Sequence, residues 1–220
     1  MSKRARQKQF DFLNTNTWGG RRKGAGRKPK GERALVSHDS REEFVDLPLH
    51  LTFHLIEGLP NLRNKREHAT LIEVFARCRE REGFRITQYS IQGNHVHLIV
   101  EAMRKEDLTR GVTGLATSMA RRLNKLWNRH GRVFSDRFHS RVLRSPTEVL
   151  RALRYVFHNA RNHGIWLWDD RPDPYSSGEF FDGWEDYRGT DWLPSCLAAA
   201  RTWLLRIGWR RAGPVRLSYG

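Results

Sequence analysis

The stretch FRITQYSIQGNHVHLIVEA, Phe84–Ala102, constrains the fold more than any other part of the chain. It reads as two strands on either side of Gly93-Asn94, a dipeptide suited to a tight turn. Side chains on a strand alternate between faces. Val96, Leu98 and Val100 therefore point to one side, and His95, His97 and Ile99 to the other. The first set needs a core. The second places two imidazoles together, on what is expected to be an open sheet face.

The flanking segments supply the core. LPLHLTFHLIEG alternates Leu49, Leu51, Phe53 and Leu55 with His50, Thr52 and His54, the pattern of another strand. NKREHATLIEVFARCREREG carries Leu71, Val74, Phe75 and Cys78 at helical spacing, with Gly83 as its expected stop. KEDLTRGVTGLATSMARRLNKLWNRHG predicts a long amphipathic helix through Val112, Leu115, Met119, Leu123 and Leu126, weakened in its first half by Gly111 and Gly114. RVFSDRFHSRVLR reads as a fourth strand. SPTEVLRALRYVFHNARNHG reads as a third helix, with Ser145 as cap, Pro146 at its first position, Glu148 completing a capping box and Gly164 ending it.

The order strand, helix, strand, strand, helix, strand predicts an α+β fold. It is a ferredoxin-like (split βαβ) antiparallel sheet with helices on one face, followed by an extra helix that carries Tyr155. The first and third strands are central neighbours in that topology. His50, Thr52 and His54 would then share a face with His95 and His97.

Residues 42–163 are expected to form the folded domain. Residues 1–41 read as a disordered basic arm, in which Gly, Pro and basic residues show no apolar period. Residues 164–220 read as a C-terminal extension that packs on the domain. It holds Trp166, Trp168, Trp184, Trp192, Trp203 and Trp209, a loop in DDRPDPYSSGEFFDGWEDY and a short basic amphipathic helix in LPSCLAAARTWLLRIGWRRAG.

A net charge of +16 points to a polyanionic partner, nucleic acid before membrane. No apolar run approaches the roughly 20 residues of a spanning helix, and no apolar secretory segment follows the basic start. No membrane association and a cytoplasmic location are expected. Cys78 and Cys196 stand far apart in sequence, which fits a reducing compartment and excludes a clustered zinc finger. Arg21, Arg22, Lys23, Arg27 and Lys28 of the arm suit a grip on phosphates indifferent to sequence. Arg121, Arg122 and Lys125, with Arg137, Arg141 and Arg144 and with Arg151, Arg154 and Arg161, suggest a path for a DNA backbone.

Tyr155 and Asn159 lie four apart on the third helix, outside the arc formed by Val149, Leu150, Leu153, Val156, Phe157 and Ala160. Core packing does not account for this tyrosine. Two histidines and a carboxamide oxygen, His95, His97 and Asn159, can hold a divalent cation and leave positions open. Mg²⁺ or Mn²⁺ suits a phosphate substrate, and the imidazoles favour Mn²⁺. Tyr155 would sit beside that cation.

GNHVHLIV resembles the His-hydrophobe-His motif of single-tyrosine HUH transposases, and RYVFHNARNHG resembles their tyrosine helix. The RRKGAGRKPKG arm, PDPYSSG and TWLLRIGWRRAG resemble the bacterial branch called REP-associated tyrosine transposases. Many relatives carry Gln where this chain has Asn159. The resemblance implies metal-dependent cleavage and rejoining of single-stranded or hairpin DNA in the bacterial nucleoid, with Tyr155 as nucleophile and a 5′-phosphotyrosine intermediate. An ordinary phenol is about one-thousandth ionised at pH 7, so a proton acceptor is needed; the cation, His139 and His158 are candidates. One alternative is a non-catalytic nucleic-acid-binding protein with an RRM-like sheet, although no GFGFV-like motif appears. Another is a replication initiator or relaxase using the same chemistry. The sequence leaves open monomer or homodimer, the DNA site, and whether the protein mobilises its own gene.

Overall fold

The computed structural model describes residues 42–165, 170–190 and 192–218. The basic arm, including Arg21, Arg22, Lys23, Arg27 and Lys28, lies outside them, as do Trp166 and Trp168. Five antiparallel strands form one sheet: β1 (Leu47–His54), β2 (Glu80–Arg81), β3 (Phe84–Ile91), β4 (His95–Ala102) and β5 (His139–Val142), in the order β2-β3-β4-β1-β5. Three long helices accompany them: α1 (Lys65–Cys78), α2 (Lys105–Leu126) and α3 (Pro146–Asn162). Without the two-residue β2, this is the expected split βαβ arrangement, with β1 and β4 side by side at the centre.

One face of the sheet carries Leu49, Leu51, Phe53, Val96, Leu98 and Val100 into a core closed by α1 and α2. Gly111 does not break α2. It admits the Phe84 ring so closely that an added Cβ would lie 2.3 Å from that ring's Cγ. The helix trades intrinsic propensity for this approach.

Four expectations need correction. α1 ends at Cys78, not at Gly83; the next residues fold into β2, and Gly83 takes φ +72° in the turn to β3, a conformation glycine adopts without strain. The fourth strand shrinks to His139–Val142, with Phe134 joined only by a bridge to Leu55. The basic segment near the C-terminus gives one helical turn, α4 (Trp203–Arg206), and a 3-10 turn over Gly208–Ala212. The second sheet face is not open, because α3 lies over it and every residue of β4 is buried.

α3 begins as its sequence dictates. The Ser145 side chain accepts from the Glu148 N–H, Pro146 occupies the first turn, and the Glu148 carboxylate reaches back to the Arg144 N–H at 2.7 Å. It ends in a Schellman pair. The Gly164 N–H bonds the Arg161 carbonyl, the Ile165 N–H bonds the Ala160 carbonyl, and Gly164 has φ +73°.

The polar sheet face offers α3 little apolar surface. Its stripe of Val149, Leu150, Leu153, Val156 and Phe157 meets Ile99 and Leu143, then Phe181, Trp184, Leu205, Trp209, Val215 and Leu217. Residues after 170 thus complete a second core around this helix. Three polar clamps hold them. Arg63 makes a bidentate pair with buried Asp173 at 2.7 and 2.8 Å. The Glu101 carboxylate accepts from the main-chain N–H of Arg201 and Thr202 and from the Thr202 hydroxyl. Arg154 donates to the Pro214 carbonyl at 2.6 Å.

Candidate active site

Strand register builds the polar face in rows. Thr52 of β1 stands between His97 of β4 and His139 of β5, with Ser90 of β3 beyond His97. In the next row His50 pairs with Ile99 and Arg141, and at the far end His54 pairs with His95. The strand pairing expected from the sequence therefore does bring five polar side chains of β1 and β4 together. His54 stacks on His95 with ring centroids 5.1 Å apart, and His163, just past α3, lies 4.8 Å from His95.

The histidines of β4 are held by their Nδ1 atoms. His95 Nδ1 lies 2.8 Å from Asn94 Oδ1, a carbonyl that can only accept. The proton then sits on Nδ1, and Nε2 keeps its lone pair. His97 Nδ1 lies 3.0 Å from the Thr52 hydroxyl and 3.1 Å from His50 Nε2, both able to accept. His97 Nε2 is buried and has no hydrogen-bond partner.

Burial governs the charge of these rings. It pushes the pKa of His50 down to about 4, with help from the Arg141 guanidinium. It does the same to His95, where His54 and His163 add repulsion and the Asn159 amide works the other way. His97 lies further below the ordinary histidine range, through burial first and then His50 and His95. All three are neutral at pH 7, the form in which an imidazole binds a metal.

Tyr155 and Asn159 of α3 come down onto this face. The Tyr155 ring meets His97 edge-on at 5.1 Å between centroids and His50 at 5.6 Å, and the residue is 43% exposed. Asn159 is 0% exposed, and neither its Oδ1 nor its Nδ2 has a hydrogen-bond partner. Its amide approaches His95 without closing a bond of ordinary geometry. On the helix alone Asn159 falls outside the apolar arc; in the fold it is fully buried beside His95 of the sheet.

Buried polar groups are rarely left unpaired. Here His97 Nε2 and both Asn159 amide atoms are unpaired on one face, beside His95 Nε2. Among the described residues no group of three or more His, Cys, Asp or Glu side chains could hold a metal. A cation on this face would therefore rest on two imidazoles and a carboxamide, a donor set that suits a divalent ion of intermediate hardness. The residues present fit that role.

The other predicted residues are more dispersed. Arg151, Arg154 and Arg161 are on α3 with Tyr155, and Arg137, Arg141 and Arg144 lie on or beside β5. Arg121, Arg122 and Lys125 are on α2, in the layer on the opposite face of the sheet. Several have structural partners: Arg141 pairs with Glu148 at 3.1 Å, Arg144 with Glu42 at 3.2 Å, and Arg154 holds the Pro214 carbonyl. His158 packs on Trp184 and the main chain at Arg216, and His139 stands beside His54. The imidazoles against Tyr155 are His97 and His50. Topology put His50 on this face in the sequence, but only its bond to His97 gives it a role.

The five-stranded antiparallel sheet with its helices is a fold shared with a solved transposase structure. A solved structure of a REP-associated tyrosine transposase bound to a REP hairpin shares the fold, with TM-score 0.54 and 14% identity over 76% of this chain and 100% of that one. A Deinococcus radiodurans protein described as a transposase aligns over 64% of this chain and 100% of its own, at 15% identity and TM-score 0.40. No curated protein matches the chain in sequence. The family model described as "Transposase IS200 like" matches residues 46–159, more than half of the chain, and the protein belongs to that family of DNA-cleaving and strand-transfer enzymes.

Proposed function

We propose that the protein is a metal-dependent transposase that cleaves and rejoins single-stranded DNA beside hairpins, with Tyr155 as nucleophile. One observation carries the reading: unpaired, buried His97 Nε2 and Asn159 Oδ1 share a face with His95, and the ring of Tyr155 rests against His97. His95, His97 and Asn159 would hold a divalent cation, Mg²⁺ or Mn²⁺. When bound, that ion would draw charge from the scissile phosphate and lower the barrier to attack.

The chain's own residues do the rest. The phenol oxygen of Tyr155 attacks phosphorus, a 5′-phosphotyrosine bond forms, and the P–O3′ bond breaks. The departing O3′ takes up a proton and becomes a free 3′-hydroxyl. Attack by that hydroxyl, or another, on the phosphotyrosine reverses the step, so strands are joined without a nucleotide cofactor. His50, neutral at pH 7, packs edge-on against the Tyr155 ring, and the phenol, on a residue 43% exposed, can release its proton to solvent. Thr52 and His50 fix the His97 tautomer. The Tyr155 contacts with His97 and His50 of the same chain support a site assembled in cis.

The hairpin substrate rests on the solved relative's REP hairpin and on the chain's charge of +16. No helix among the described residues is long and apolar enough to cross a membrane. The basic arm, with Arg21, Arg22, Lys23, Arg27 and Lys28, and the arginines of α2, β5 and α3 other than Arg154, which holds Pro214, would track the DNA backbone in the bacterial cytoplasm. We divide the chain functionally into an arm (1–41), a catalytic domain (42–163) and a supporting extension (164–220). The test is cleavage of a labelled hairpin oligonucleotide across a Mn²⁺ titration. Wild type should cut only with metal and His97→Ala should not cut; unchanged cutting by His97→Ala would remove the metal site from the reading.

A further inference from the structure

A cavity of about 300 Å³ opens beside His95 at the end of the sheet, lined by Leu59, Asn61, Gln92, Gly93, Asn94, His163 and Ile165. It touches the candidate site directly. A larger cleft of about 1100 Å³, between the C-terminal residues and Thr87, Gln88 and Leu153, touches none of His95, His97, Tyr155 and Asn159.

The lining of the smaller cavity is chemically specific. Three carboxamides, Asn61, Gln92 and Asn94, gather between apolar Leu59 and Ile165, with the His163 imidazole against His95. Gln92 is 1% exposed; its Nε2 donates to the Ser90 hydroxyl at 2.9 Å, and its Oε1 has no partner. That buried acceptor calls for a donor from a ligand. Asn61 Oδ1 holds the Arg63 N–H at 2.8 Å, which fixes the amide at the cavity. An added Cβ at Gly93 would make ordinary contact with Asn61 Oδ1 at 3.4 Å, so a methyl group there would sit against the cavity wall at Asn61. No Lys, Arg, Asp or Glu side chain lines the cavity, which argues against a phosphate there. The size lies at the small end of ligand sites. Apolar walls, an imidazole for stacking and amide groups for a hydrogen-bonding edge fit one flat heterocycle.

We propose that this cavity receives one unpaired nucleobase of the DNA strand, next to the phosphate held over His95, and that it sets the base preference at that position. The inference rests on the proposed function for its substrate class. It predicts where along the strand sequence is read, whereas the basic residues hold the backbone without reading it.

The experiment separates the two claims by using binding instead of cleavage. Full-length Tyr155→Phe protein with Mn²⁺ selects from a hairpin library whose unpaired flank is randomised, and the retained strands are sequenced. The expected result is one flank position with about tenfold enrichment of a single base. Asn61→Ala and Gly93→Ala, each added to Tyr155→Phe, should bring that position to near parity while total retention stays within about twofold. Asn61 is exposed, and Gly93 has an ordinary φ, so both variants should fold. An abasic substitution at the enriched position should remove the difference between the proteins. The same base profile in all three proteins, no enrichment at any flank position, or an equal loss of every sequence in the variants would overturn the pocket. Failure of wild type to cleave would count against the catalytic reading and leave this profile as evidence of its own.

Discussion

Replacing Asn159 with leucine should stabilise the metal-free protein. Asn159 is completely buried with both amide atoms unpaired. An unsatisfied buried polar group costs about 1–3 kcal/mol. Leucine has a similar branched shape but no groups to leave unpaired. Its extra bulk offsets part of that gain, since overpacking costs about 1–3 kcal/mol in tight sites. The net gain should be about 1–2 kcal/mol, or roughly 2–8 °C in Tm for a domain of this size. Mn²⁺ should reverse the ranking. Wild type should gain about 2.7 kcal/mol at a hundred times Kd, whereas the variant loses a ligand and gains little. Thermal unfolding of both proteins in chelator and in Mn²⁺ reads all four values. The crossing is the signature of an amide kept unpaired for a ligand. Asn159→Leu less stable than wild type in chelator, or stabilised equally by Mn²⁺, would refute the reasoning.

Two further outcomes follow from the same face. Thr52→Val should weaken Mn²⁺ binding about tenfold by calorimetry, as loss of a partner behind a ligating imidazole does, while Thr52→Ser should retain it; equal affinities in all three proteins would remove Thr52 from the site. Metal-free stability should fall as pH drops from about 6.5 toward 4, because the unfolded chain takes up protons at the ordinary histidine pKa while folded His50 and His95 resist until about 4. Denaturant midpoints at pH 7.5, 5.5 and 4.5 give the slope, and a flat profile would contradict the neutral buried rings.

Much of this site was legible in the sequence because strand alternation is a strong constraint. Once Val96, Leu98 and Val100 are assigned to a core, His95 and His97 must share the other face, and the split βαβ order brings His50, Thr52 and His54 beside them. The ends of α3 were equally plain, since Ser145, Pro146 and Gly164 act locally. What depends on long-range packing was not legible. Residues 79–82 are all charged and carry no periodicity, so nothing marked the short strand β2 or moved Gly83 from a helix end into a turn. The burial of Asn159 needs α3 to pack on the sheet face beside His95. The Arg154 guanidinium reads as a phosphate contact until Pro214 offers it a carbonyl. His50 becomes a partner of His97 only through a cross-strand bond that no local pattern announces.

The central claim is that residue 155 becomes covalently joined to DNA. Wild-type protein incubated with a hairpin oligonucleotide and Mn²⁺, then denatured and digested with protease and nuclease, gives peptides whose masses can be read. The account predicts a nucleotide-bearing peptide containing Tyr155, absent without metal and absent from Tyr155→Phe. A modified peptide elsewhere in the chain, or an adduct that persists in Tyr155→Phe, would contradict it.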